Sequence, residues 1–84
     1  MSWFVYALEN ETGRRYVGYT GRYPELRLRE HNDGVNRWTR AYRPWRLVYS
    51  ECHESKSDAV RRERYLKTGA GREERDRLIA DAQG

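Results

Sequence analysis

Trp3-Phe4-Val5-Tyr6-Ala7-Leu8 is an unbroken run of aromatic, β-branched and aliphatic residues. A strand read this way has no solvent face, so it belongs in the middle of a sheet covered on both sides. In a chain of 84 residues, that demand leaves room for one small domain, 1–84, with a single core near the lower limit of self-sufficiency. Apolar residues make up only 37% of the chain, but 13% are aromatic, so each core residue brings a large area to bury.

The signals that follow divide the chain cleanly. Glu9-Asn10-Glu11-Thr12-Gly13 reads as a hairpin turn, and Arg15 to Thr20 as the returning strand. Gly21-Arg22-Tyr23-Pro24 breaks that strand, and Pro24 suits the first turn of a helix running to about Asn32. Val35 to Arg43 is expected to be polar and irregular, and Trp45 to Glu51 to form a third strand after Pro44. Ser55 or Ser57 can cap a helix from Ser57 to Thr68. Gly69-Ala70-Gly71 is expected to end it, with a last charged helix from Arg72 to about Ala82. The order strand, strand, helix, strand, helix, helix predicts an α+β domain, a small sheet packed with helices and too short for a doubly wound fold.

Composition narrows the partners. Basic residues number 17 against 13 acidic, a net charge of +4. Only Lys56 and Lys67 are lysines, so fifteen of the 17 are arginines, whose planar fork suits phosphate. Such a balance permits nucleic-acid binding without requiring it. The lone Cys52 excludes an internal disulfide, and one cysteine with two histidines cannot close an ordinary structural zinc site. The N-terminus lacks a basic leader-like region and no apolar run approaches a membrane span, so a cytoplasmic protein is expected, with no membrane partner.

Five residues stand out chemically. Glu63 lies in the middle of an apolar helical stripe with Ala59, Val60 and Leu66, where a carboxylate is costly unless charge-paired, hydrogen-bonded or bound to metal. A partly buried salt bridge would satisfy it as well as a cation. Arg27 and His31 are four apart and share a helical face. They suit a phosphate clamp, or a solvated face with His31 favoured by the helix dipole. Tyr6 and Tyr16 can be ordinary strand aromatics, or phenols that act on a proton. Gly18, two residues after Tyr16, marks a bulge or a close approach of ligand backbone.

Together these residues resemble the GIY-YIG nuclease superfamily, in particular its small stand-alone bacterial members. Phe4-Val5-Tyr6 stands where the first motif falls, and Tyr16-Val17-Gly18 resembles the second. Arg27-Leu28-Arg29-Glu30-His31-Asn32 is similar to the family's first helix, and Pro44-Trp45-Arg46-Leu47-Val48-Tyr49 to its third strand. Ala59 to Lys67 is similar to the helix carrying the family's single metal-binding glutamate. The resemblance implies a three-stranded antiparallel sheet flanked by helices and metal-dependent hydrolysis of DNA phosphodiesters. It makes Glu63 the sole protein ligand of Mg²⁺ or Mn²⁺ and Tyr16 the general base. Tyr6 would bond nearby, Arg27 would stabilise charge on the phosphate with Arg29 as the alternative, and His31 would assist.

DNA is then the expected partner, held by Arg27, Arg29, Arg37, Arg40 and Arg43. No spare element is shaped for base readout in a groove, so structure-selective or weakly specific cleavage is expected, in repair or processing, with a partner protein able to add specificity. The alternatives are a nucleic-acid-binding module of the same fold without turnover, and a protein-interaction domain anchored on Trp38 and the Arg37–Arg46 loop.

Overall fold

The structure, a computed structural model, describes residues 2–84. The elements are β1 (Trp3–Asn10), β2 (Arg15–Thr20), α1 (Pro24–Asn32), α2 (Arg37–Arg40), β3 (Trp45–His53), α3 (Lys56–Leu66) and α4 (Gly69–Gln83). The three strands are antiparallel in the order β2-β1-β3, which puts the apolar run in the middle. Val5, Tyr6, Ala7 and Leu8 are all buried, as a strand covered on both faces requires.

The two faces carry different layers. Val5, Ala7 and Val17 join Val48, Ala59, Leu66 and Ile79 in a core beneath α3 and α4, edged by Trp3 and Tyr49. Tyr6, Leu8 and Trp45 form the other core, with Tyr16, Leu28, Tyr42 and Leu47 packed against it. That second face is the one α1 and α2 help to cover, and it is largely aromatic. Among the described residues, no helix is long and apolar enough to cross a membrane.

Two expectations are corrected. The Val35–Arg43 segment is not wholly irregular: Asn36 accepts from the amides of Trp38 and Thr39 and so caps the short helix α2. Nor do the glycines end α3. The chain turns at Lys67, Thr68 caps α4 by accepting from the Gly71 amide, and α4 begins at Gly69. Gly71 permits that turn, because a Cβ there would lie 1.8 Å from the Tyr65 carbonyl oxygen. Smaller differences lie at the strand ends, where β1 runs on to Asn10 and β3 to His53.

Candidate active site

The register of β1 and β2 builds the first part of the site. Tyr6 pairs with Gly18, and Leu8 with Tyr16. Tyr6 and Tyr16 are therefore diagonal neighbours on one face, their ring centroids 6.4 Å apart. Gly18 exists for a side chain: a Cβ there would sit 2.6 Å from the Tyr6 hydroxyl oxygen and 3.1 Å from Cε2 of Tyr16. The phenol of Tyr6 lies across the bare backbone of Gly18 and points toward α1.

There it meets His31. Helix α1 starts at Pro24 and presents few buried side chains, yet His31 in its last turn is only 1% exposed. Its Nε2 lies 3.0 Å from the Tyr6 hydroxyl, and its Nδ1 lies 2.7 Å from the hydroxyl of Thr39, which is fully buried on α2. The Thr39 hydroxyl in turn donates to the Asn36 carbonyl at 3.5 Å. Arg27, one turn before His31, sets its guanidinium beside the Tyr6 hydroxyl. Its Nη1 donates to Glu30 at 2.6 Å.

One proton arrangement satisfies the whole chain. Arg27 can only donate, and it faces the Tyr6 oxygen. The Tyr6 hydroxyl then donates to Nε2, Nδ1–H donates to Thr39, and Thr39 donates to the Asn36 carbonyl. The opposite tautomer would leave the buried Tyr6 proton facing two donors. Burial, with the charge of Arg27 added, pushes the His31 imidazole down to about 4, so it is neutral at neutral pH. Burial likewise pushes the Tyr6 phenol up to about 12, more than the neighbouring Arg27 can offset. Tyr6 therefore keeps its proton and acts as a fixed dipole.

Glu63 stands on α3, which packs on the opposite face of the sheet. It is 9% exposed on α3, and its partner is the Lys67 ammonium one turn later. Two neighbouring arginines are engaged elsewhere: Arg61 bonds Asp58, and Arg62 bonds Glu51 and Glu74. Lys67 Nζ also lies 5.7 Å from the centroid of the Tyr16 ring. Because β2 is an edge strand, α3 can bring Glu63 and Lys67 around that edge to Tyr16. Tyr6, Tyr16, Arg27 and His31 thus share one neighbourhood, and Lys67 links Glu63 to Tyr16.

Three contributors to this site were not assigned from the sequence. Thr39 orients His31, Lys67 neutralises Glu63, and Trp38 stacks on Tyr16 with ring centroids 6.1 Å apart and planes at 29°. An i, i+4 Glu–Lys pair was the one signal available, and it pointed to Lys67. Arg29, Arg37, Arg40 and Arg43 are exposed on α1, on α2 and just beyond it. The clefts beside Tyr16 are instead lined by Arg15, Lys67, Arg72 and Arg75.

Comparison with known proteins gives the family. Residues 2–75 match the GIY-YIG catalytic domain. A UPF0213 protein of Bacillus licheniformis is 38% identical over 81 residues, spanning 95% of this chain and 81% of its own. A UPF0213 protein of Staphylococcus aureus is also 38% identical over 81 residues, covering 95% of this chain and 96% of that one. The solution structure of a UPF0213 protein from Bacillus halodurans superposes with a TM-score of 0.56 at 33% identity, over 93% of this chain and 85% of its own. A matching domain, relatives of nearly the same length and a shared α+β fold place the chain in one family: it belongs to the small GIY-YIG nucleases.

Proposed function

We propose that this chain is a divalent-metal-dependent DNA endonuclease that is structure-selective or weakly sequence-specific and acts in repair or processing. The carrying observation is the convergence of Tyr6, Tyr16, His31 and Arg27 on one sheet face with Glu63 brought around the β2 edge. Residues 25 and more apart in sequence meet there, and two of them hold shifted protonation equilibria.

In this reading the chain's own groups divide the work. The Tyr16 oxygen, as phenolate, takes the proton from the attacking water. Water's oxygen forms the new bond to phosphorus as the bond to the leaving oxygen breaks. The guanidinium of Arg27 faces the negative charge that grows on the phosphate oxygens. Tyr6, locked by His31 and Thr39, keeps its hydroxyl at a fixed position beside Arg27. Exposed Arg29, Arg37, Arg40 and Arg43 extend the positive surface that DNA would meet.

The donor set at Glu63 fits a hard cation of a particular kind. Among the described residues, no three His, Cys, Asp or Glu side chains cluster. A single carboxylate suits an ion that keeps waters and takes substrate oxygens as its remaining ligands, the usual habit of Mg²⁺. When bound, Mg²⁺ or Mn²⁺ would polarise the phosphate and neutralise the leaving oxygen. Lys67 must then release Glu63.

The Lys67–Glu63 pair also favours a second reading. A carboxylate already neutralised by an ammonium needs no metal to stay buried. The chain would then bind nucleic acid without cutting it. A cleavage assay in Mg²⁺, Mn²⁺ or EDTA on duplex, single-stranded, flapped and branched DNA separates the two. Cleavage that requires metal, and that Glu63→Gln abolishes while leaving fold and binding intact, supports the nuclease. Wild-type turnover by Glu63→Gln, or cutting in EDTA, sinks it.

A further inference from the structure

Beside Tyr16 lie two adjoining clefts between the β1–β2 turn, α2 and the start of α4. Arg14, Arg15, Lys67, Arg72 and Arg75 line them, against the single carboxylate of Asp76. Asp76 bonds Arg15 and Arg75 at 2.5 and 3.0 Å, Glu9 also bonds Arg15, and Glu63 bonds Lys67, so among the described residues Arg14 and Arg72 are the lining cations with no carboxylate partner. Arg14 lies over the ring of Tyr42, 4.2 Å from its centroid. A surface so biased in sign, on a protein of net charge +4, is complementary to a polyanion.

Trp38 lies on the border of both clefts. It stacks on Tyr16 and packs against Tyr42 and Trp45, yet 46% of it remains exposed. Asn36 Oδ1 accepts from its backbone amide at 2.9 Å, and the contacts with Tyr16, Tyr42 and Trp45 place the indole. A rigid, half-exposed indole among cations is the pairing that single-strand binders use, an aromatic platform within a basic track. Its place beside Tyr16 sets which nucleotide it would take. A base paired in duplex presents only its edges, and its faces are covered by neighbours. A base lying on Trp38 must therefore be out of the stack.

We propose that the groove receives DNA that is single-stranded at the reacting phosphate, either a free strand or one at a junction with duplex. One base next to that phosphate stacks on Trp38, and Arg72 and Arg75 follow the backbone away from it. This rests on the nuclease reading above and names its substrate class. It also replaces a protein-anchoring role for Trp38.

Binding in EDTA tests it without cleavage. Fluorescence anisotropy with a labelled single strand, and with the same strand annealed to its complement, measures both affinities for wild type, Trp38→Leu and Trp38→Phe. Base–aromatic stacking is worth about 5- to 150-fold in affinity per base, so Trp38→Leu should lose that much on the single strand and under about twofold on continuous duplex. Trp38→Phe should restore most of it. A 2-aminopurine moved along the strand should be quenched by the wild-type protein at one position, which tests the stack even if Trp38→Leu misfolds. Equal losses on both DNAs, no loss on the single strand, or no quenched position overturns the proposal. In that case duplex DNA that still binds and is cut with metal leaves the nuclease reading standing, whereas failure of every DNA to bind removes both.

Discussion

Replacing Thr39 by valine tests the proton chain that fixes Tyr6. The change keeps the shape of a fully buried side chain and removes only the oxygen 2.7 Å from His31 Nδ1. Valine is not a neutral swap for threonine here, because Nδ1–H is left buried without an acceptor. Such an orphaned donor costs about 1–3 kcal/mol. In a domain of this size, each kcal/mol moves the melting temperature by about 4–8 °C. A loss of about 2 kcal/mol therefore lowers Tm by about 8–16 °C. Thr39→Ser keeps the hydroxyl and loses one methyl group, so it should cost only about 1 kcal/mol. A purely structural role would show the same Tm loss, so the decisive measurement is the ¹⁵N spectrum of the imidazole. In wild type, Nδ1 should carry the proton and Nε2 should be the unprotonated nitrogen accepting from Tyr6. Serine should preserve that pattern, and valine should move the proton toward Nε2, taking away the acceptor that orients Tyr6. An unchanged ¹⁵N pattern in Thr39→Val, with Tm within about 2 °C of wild type, refutes the relay.

Four further outcomes follow from the same geometry. Gly18→Ala forces a methyl group to within 2.6 Å of the buried Tyr6 hydroxyl. Overpacking of this kind costs about 1–3 kcal/mol and should lower Tm by about 4–24 °C in a thermal melt, and an unshifted melt would contradict the close approach. His31 has a folded pKa lowered from 6.5 to about 4, so between these values the unfolded chain binds the proton more readily. Its contribution is complete above about pH 6.5 and is lost as pH falls toward 4, up to about 3 kcal/mol, and urea titrations should show a shallower acid loss in His31→Asn. Tyr16→Phe should slow cleavage on the order of a hundredfold or more. Tyr49→Phe removes a hydroxyl bonded to Glu51 and should leave the rate nearly unchanged, so equal effects at the two positions would disprove the assignment of Tyr16. Arg27→Ala should depress the single-turnover rate far more than DNA affinity, and proportional losses would make it a phosphate anchor.

The sequence by itself determined the layers and the order of the strands and long helices. The Trp3–Leu8 run reads as a strand buried on both faces, Pro24 starts α1 through its fixed φ, and of the two serines that could cap α3 it is Ser55 that accepts from the Asp58 amide. Such signals are local, so they survive without knowledge of what packs on them. The motif residues were legible too, since a carboxylate on the apolar face of α3 is costly wherever that face lands. Competing local signals explain the misses. The glycines after α3 read as a stop, but Thr68 caps a new helix through the Gly71 amide, and Gly71 is needed against the Tyr65 carbonyl. Only the tertiary structure decided how the site is wired. Register sets Gly18 under Tyr6, the packing of α2 on α1 brings Thr39 to His31, and the edge position of β2 lets Lys67 touch both Glu63 and Tyr16. Apart from the local Glu63–Lys67 pair, each of those contacts joins segments whose order along the chain carries no record of their distance in space. They are set by burial and by buried donors needing acceptors, which exist only once the sheet has closed beneath its helices.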